Sequence, residues 1–164
     1  MVSKRLIWSG LILISLSIIT VSCSREVESP LPKNMQGLQL KNLVEGESAE
    51  AMINRLHNKR VTSKDSYIGH YAGDGLRATL YFSRFNTEDE ASELLESMIE
   101  GMKRSGGAFG HFRRFTENDK PVYSVFGLGQ IHYFYQTGRS LIWLAADPPV
   151  AQEVFMDVFK LKWE

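Results

Sequence analysis

The chain has 164 residues, 43% hydrophobic, 11% aromatic and 23% charged, with 19 basic and 19 acidic residues. That balance supports one folded domain plus a leader and excludes an intrinsically disordered chain. Without a basic surplus no nucleic-acid partner is expected, and a single cysteine, Cys23, excludes an intrachain disulfide.

Residues 1–22 begin with Lys4 and Arg5 and continue as an apolar run from Leu6 to Val21, interrupted by Ser9, Gly10, Ser15 and Ser17. A basic start, an apolar middle and a small residue at the end form an export signal. At about 16 residues the apolar run is short for a spanning helix. Removing the leader takes away Lys4 and Arg5 and leaves 17 basic against 19 acidic residues.

The leader ends Thr20-Val21-Ser22-Cys23-Ser24. This resembles the lipobox of small bacterial lipoproteins, with Thr20 standing where that family usually has Leu. The resemblance implies cleavage before Cys23, a diacylglyceryl group on its thiol and a further fatty acyl group, palmitate for example, on the new amino terminus. Each buried methylene of such chains adds about 0.8 kcal/mol to membrane binding. It also implies a place in the cell envelope, anchored to the membrane and facing the periplasm. Ser24 after the cysteine favours the outer membrane, by resemblance to enterobacterial lipoproteins.

Residues 23–39 are polar and carry Pro30 and Pro32. They read as a flexible tether, with a single α+β domain over residues 40–164. Leu38, Leu40 and Leu43 suggest an edge strand. Ala49, Met52, Ile53 and Leu56 recur at helical spacing, predicting a helix over residues 48–58 with Ser48 as N-cap. A strand at 67–71, a turn at 72–75 and a strand at 76–83 follow, the last with Leu76, Ala78, Leu80 and Phe82 on one face. Asn86 or Thr87 caps the next helix, whose apolar stripe runs Ala91, Leu94, Leu95, Met98, Ile99, Met102, and Gly106 and Gly107 end it. Strands are expected at 109–115 and 122–126.

A second hairpin, Gln130 to Ala146, is the most aromatic stretch of the chain. A two-residue turn at Thr137-Gly138 would set His132 opposite Trp143. A three-residue turn with Gly138 as a left-handed bulge would set it opposite Ile142, and Gln-Thr-Gly suits the bulge. Asp147 would cap a final helix with Pro148 in its first position. Because Ala91, Leu94, Leu95, Met98 and Ile99 are matched 60 residues on by Ala151, Val154, Phe155, Val158 and Phe159, the domain reads as two ββα pseudo-repeats. The expected fold is α+β: an antiparallel β-sheet of about six strands with helices on one face. The other face then needs a cover: a homodimer mate, an envelope protein partner, the N-terminal segment or a ligand.

Functional residues are sought on that helix-free face. Gln130, His132, Tyr133, Tyr135 and Trp143, with His70 on the earlier hairpin, are the candidate binding residues, and Tyr81 joins them as a contact. The four histidines form no short ligand motif, so no metal is expected. Met52, Met98, Met102 and Met156 lie on apolar helical stripes and read as core. Ser105–Gly110 lacks the ending of a phosphate loop, and Gly127-Leu128-Gly129 lacks the third glycine of a dinucleotide fingerprint. No cofactor is therefore expected. Phe112-Arg113-Arg114-Phe115 mixes bases and aromatics and reads as an exposed strand. No nucleophile elbow is present. The resulting expectation is a membrane-tethered binding or interaction module, with an envelope-located hydrolase as the alternative.

Overall fold

The computed structural model describes residues 29–57, 63–104 and 108–163. Cys23 and the leader lie outside them, as do Asn58 and the expected helix stop at Gly106 and Gly107. The chain runs β1 (Asn34–Met35), β2 (Leu38–Glu45), α1 (Gly46–His57), β3 (Asp65–Gly73), β4 (Leu76–Arg84), α2 (Glu88–Arg104), β5 (Phe109–Glu117), β6 (Lys120–Gly127), β7 (Gln130–Thr137), β8 (Ser140–Ala146) and α3 (Ala151–Phe159).

The α+β class and the antiparallel sheet agree with the sequence reading, but the sheet has eight strands rather than about six. Their order is β1-β2-β3-β4-β8-β7-β6-β5. Strands β4 and β8 meet at the centre, with Leu80 opposite Leu144 and Tyr81 opposite Trp143. Every other pairing joins strands adjacent in sequence, through short turns except between β2 and β3, which are connected by way of α1. Asp74-Gly75 links β3 to β4 with both φ angles positive, +51° and +78°, the geometry that follows the right-handed twist of the paired strands.

The expected turn of the second hairpin is displaced. Gly138 and Arg139 are its two central residues, Thr137 pairs with Ser140, and His132 lies opposite Ala145. Gly138 takes φ +53°, and a glycine in the first central position is what a tight hairpin of this kind requires. Neither turn considered from sequence is the one adopted.

Helices cover both faces of the sheet, not one. Along β8 the side chains alternate, and both sets are buried. Ile142, Leu144 and Ala146 join Ala78, Leu80 and Phe82 beneath Ala151, Val154, Phe155 and Val158 of α3. Leu141 and Trp143 instead pack with Ala91, Leu94, Leu95 and Met98 of α2. On that second face α1 sits over β2 and β3, with Ala49 and Ile53 against Ile68. The successions β3-β4-α2 and β7-β8-α3 are therefore not equivalent repeats, since their helices go to opposite faces. The shared spacing records only that both helices are amphipathic.

Local chemistry explains the helix ends. Thr87 Oγ1 accepts the Glu90 N–H at 3.2 Å, and the Glu90 carboxylate accepts the Asn86 N–H at 3.0 Å, a reciprocal N-terminal cap. Glu88, Asp89 and Glu90 stand in the first turn of α2 and Lys103 and Arg104 in the last, as the helix dipole favours. Asp147 does not cap α3. That helix starts at Ala151 without a side-chain cap. Asp147 instead accepts the Arg77 N–H at 2.8 Å and the Gln130 side-chain amide at 3.0 Å, fastening β4 to β7.

The segment from Ser29 to Gln39 does not run as a free tether. Leu31 and Met35 are buried in the α3-side core. Tyr71 donates its hydroxyl to the Pro32 carbonyl at 2.8 Å, and burial holds that phenol well above the ordinary tyrosine pKa. Residues 29–39 thus pack as part of the folded domain, ahead of the boundary at residue 40 expected from the sequence. At the other end Trp163 closes the same core, stacked on Phe82 with ring centroids 5.2 Å apart. Among the described residues no helix is long and apolar enough to cross a membrane.

A candidate apolar cleft between two helices

The two faces of the sheet are packed differently. On the α3 side the buried residues form one continuous cluster. On the other side they form two, one under α2 and one under α1. A cleft of about 460 Å³ lies between them, a size in the range of small-molecule sites.

Its floor is the centre of the sheet: Thr79, Tyr81 and Ser83 of β4, Leu141, Trp143 and Ala145 of β8, and Gln130 and His132 of β7. Ile53 and Leu56 of α1 form one wall. Leu94, Met98, Gly101 and Met102 of α2 form the other, with Phe109 and Leu128 closing the far side and Arg104 at the end of α2. Among the described lining residues there is no carboxylate.

His132 is the polar centre of the floor, and its hydrogen bonds stay within the fold. Trp143 Nε1–H donates to His132 Nδ1 at 3.0 Å, and His132 Nε2 lies 3.0 Å from the Gly127 carbonyl. The first bond needs an acceptor and the second a donor, which selects the neutral ring with its proton on Nε2. Burial lowers the His132 pKa below its ordinary value, and the Gly127 hydrogen bond partly opposes the shift. Phe109 meets the ring edge-on, with centroids 5.1 Å apart. Trp143 stacks on Phe134 at 5.1 Å and Phe134 on Tyr123 at 5.5 Å, so aromatic packing stiffens the floor across three strands. Burial raises the pKa of Tyr81, which therefore brings a protonated hydroxyl to the lining.

The sequence candidates divide between the two faces. Gln130, His132 and Trp143 line the cleft. His70 lies beside it, with Nδ1 3.3 Å from the hydroxyl of Thr79. Tyr133 and Tyr135 point the other way, because side chains alternate along a strand. Tyr133 stacks on Phe155 of α3 at 4.5 Å, and Tyr135 donates to the Val158 carbonyl at 3.4 Å. Tyr135 is a core residue beneath α3 and Tyr133 packs half-buried against the same core, and the helix-free face they were assigned to does not exist. Among the described residues no three His, Cys, Asp or Glu side chains gather as a metal site.

Sequence reading missed the walls: Ile53, Leu56, Met98, Gly101, Met102 and Leu128. Two of them carried a signal. Gly101 interrupts a helix, at a cost of about 1 kcal/mol relative to Ala. A Cβ built there meets nothing within 4 Å, so no close packing requires the glycine. Leu128 holds φ +53° in the β6–β7 turn, a position that favours Asn, Asp or Gly.

A more open depression of about 500 Å³ lies on the opposite face, beside α3, lined by Arg113, Arg114, Phe115, Tyr133 and Phe155 among others. It holds Arg113 and Arg114 of the Phe-Arg-Arg-Phe motif at the sheet edge.

Neither a protein-family model, nor a curated protein, nor a solved structure matches this chain.

Proposed function

We propose that the chain is a lipid-anchored protein of the bacterial cell envelope, serving as a binding module, and that the cleft between α1 and α2 holds a small, largely apolar ligand. The divided core carries this reading. Packed protein interiors leave few voids larger than a water molecule, whereas here two apolar clusters on one face stand apart with a 460 Å³ cleft between them. A space walled by Ile53, Leu94, Met98 and Phe109, with His132 and Trp143 of its floor bonded to each other, suits an apolar ligand.

The anchor half rests on the leader and on Cys23. Ser29, in the described fold, lies six residues beyond Cys23, a separation of at most about 20 Å even for fully extended backbone. The domain would then stay next to the membrane surface. Replacing Cys23 with Ala is expected to abolish palmitate incorporation and leave an unprocessed or mislocalised precursor. Processing and membrane attachment unchanged in that variant would exclude Cys23 as the anchor.

The cleft half is tested by native mass spectrometry of the full chain extracted from its own envelope. A bound small molecule is expected in the parent and absent from Gly101→Phe, which fills the cleft from α2. No bound mass in the parent, together with no thermal shift across a panel of apolar compounds, would exclude a ligand site there.

A further inference from the structure

We infer that the occupant of the cleft is a single acyl chain, entering past Leu56 and Leu128. The inference rests on the binding reading above and names its ligand class.

Three residue choices that cost the isolated chain something converge on this cleft. Gly101 lowers the helicity of α2 and leaves open space beside it. Leu128 combines a left-handed backbone with a side chain that is 77% exposed, so it is strained and returns little burial. Leu56 continues the apolar stripe of α1 yet is 66% exposed, and it faces the same cleft. Local choices that conflict with folding are expected where function demands them. A common occupant that covers both leucines and uses the space beside Gly101 accounts for all three.

The shape and chemistry of the cleft indicate a chain rather than a compact ring. The α2 wall extends from Leu94 to Arg104, which at the helical rise is about 15 Å. One wall is therefore long enough to run beside an extended chain. Met98 and Met102 line it with unbranched thioethers that adapt to a flexible guest. His132 is bonded to Trp143 and to the Gly127 carbonyl, and the remaining polar lining is hydroxyls, the Gln130 amide and, at the end of α2, Arg104, so an anionic group deep inside would be buried without a counter-charge. A charged head must stay at the mouth, where Arg104 is exposed to solvent and paired with Glu100 at 3.4 Å.

Acyl chains can come from a bilayer phospholipid or from a free fatty acid, and one fluorescence experiment separates the sources. The chain has three tryptophans, Trp8, Trp143 and Trp163. In full-length protein carrying Trp8→Phe, Trp143 reports from the cleft floor, while Trp163 is buried in the opposite core as an internal control. This protein is reconstituted into vesicles of dibrominated phosphatidylcholine, or into plain phosphatidylcholine vesicles to which dibrominated fatty acid is added. Bromine quenches indole on contact. Selective loss of Trp143 emission is expected in at least one arm: in the first if bilayer lipid is the source, in the second alone, and there saturable, if free fatty acid is. Gly101→Phe should abolish the loss. Gly101→Ala, which suits the helix and leaves the slot open, should behave like the parent. No quenching in either arm, equal quenching of both indoles, or quenching that survives Gly101→Phe overturns the acyl assignment. If mass spectrometry still finds another small molecule that Gly101→Phe expels, the binding reading stands and only the ligand class falls.

Discussion

His132 shows how a residue that draws functional suspicion can be occupied by the fold. Its ring accepts from Trp143 and lies within hydrogen-bond distance of the Gly127 carbonyl, beneath a helix and beside Phe109. Protonation would convert the acceptor nitrogen into a second donor facing the Trp143 N–H. Burial accordingly lowers its pKa. The unfolded chain takes up this proton near pH 6.5, and the folded chain does so only at lower pH. The stability tied to neutral His132 is therefore complete above about pH 6.5 and is lost as pH falls from there through the folded pKa. Urea midpoints measured at pH 7.5 and 5.5 should drop more in the parent than in His132→Gln. Equal drops would remove His132 as a source of acid sensitivity. His132→Ala should cost about 2–3 kcal/mol at neutral pH, because it orphans both buried partners. Gly69 poses a steric problem of the same scale. A Cβ there would lie 2.7 Å from the Tyr71 ring and 3.0 Å from Leu31, so Gly69→Ala should cost about 1–3 kcal/mol by overpacking, read as a lowered urea midpoint.

At the scale of elements, patterns set by local chemistry proved easiest to read. The stripe of α2, its acidic start and its Thr87 cap follow from neighbouring residues alone. Thr87→Ala should lower stability by about 1 kcal/mol without altering the cleft, which a denaturation curve alongside a ligand-binding measurement can check. Periodicity could not say which face of the sheet a helix chooses. An amphipathic helix needs an apolar surface, and β8 offers one on each side. The direction in which the chain leaves β4 and β8 decides between them. The apparent ββα repeat came from reading two similar stripes as two similar placements. The register of the second hairpin was equally hidden, since Gln136, Thr137, Gly138 and Arg139 accommodate several tight turns and only the pairing of Phe134 with Trp143 across the finished sheet selects one.

For the whole molecule, the ends of the chain matter more than their composition suggests. Residues 29–39 are polar and proline-bearing, yet Leu31 and Met35 complete the core on the α3 face, and Trp163 plugs it from the other terminus. Leu31→Ala should cost about 2–5 kcal/mol and expose the segment before β2 to proteases. Unchanged stability and protease resistance would mean the segment adds nothing to the fold. That packing fixes Leu31 in the core eight residues beyond Cys23. A lipid anchor at that position would hold the cleft-bearing domain within about 20 Å of the bilayer surface.

The sequence by itself determined the α+β class, the antiparallel pairing and the identity of nearly every strand and helix. These depend on hydrophobic periodicity and turn chemistry, which act over a few residues. Only the tertiary structure decided that α3 lies opposite α1 and α2, that Tyr133 and Tyr135 face α3, and that Gln130, His132 and Trp143 share a cleft with Ile53, Leu56, Gly101 and Leu128. The reason is physical: a cleft is the space that three separately stabilised elements leave between them, and no local pattern encodes a gap.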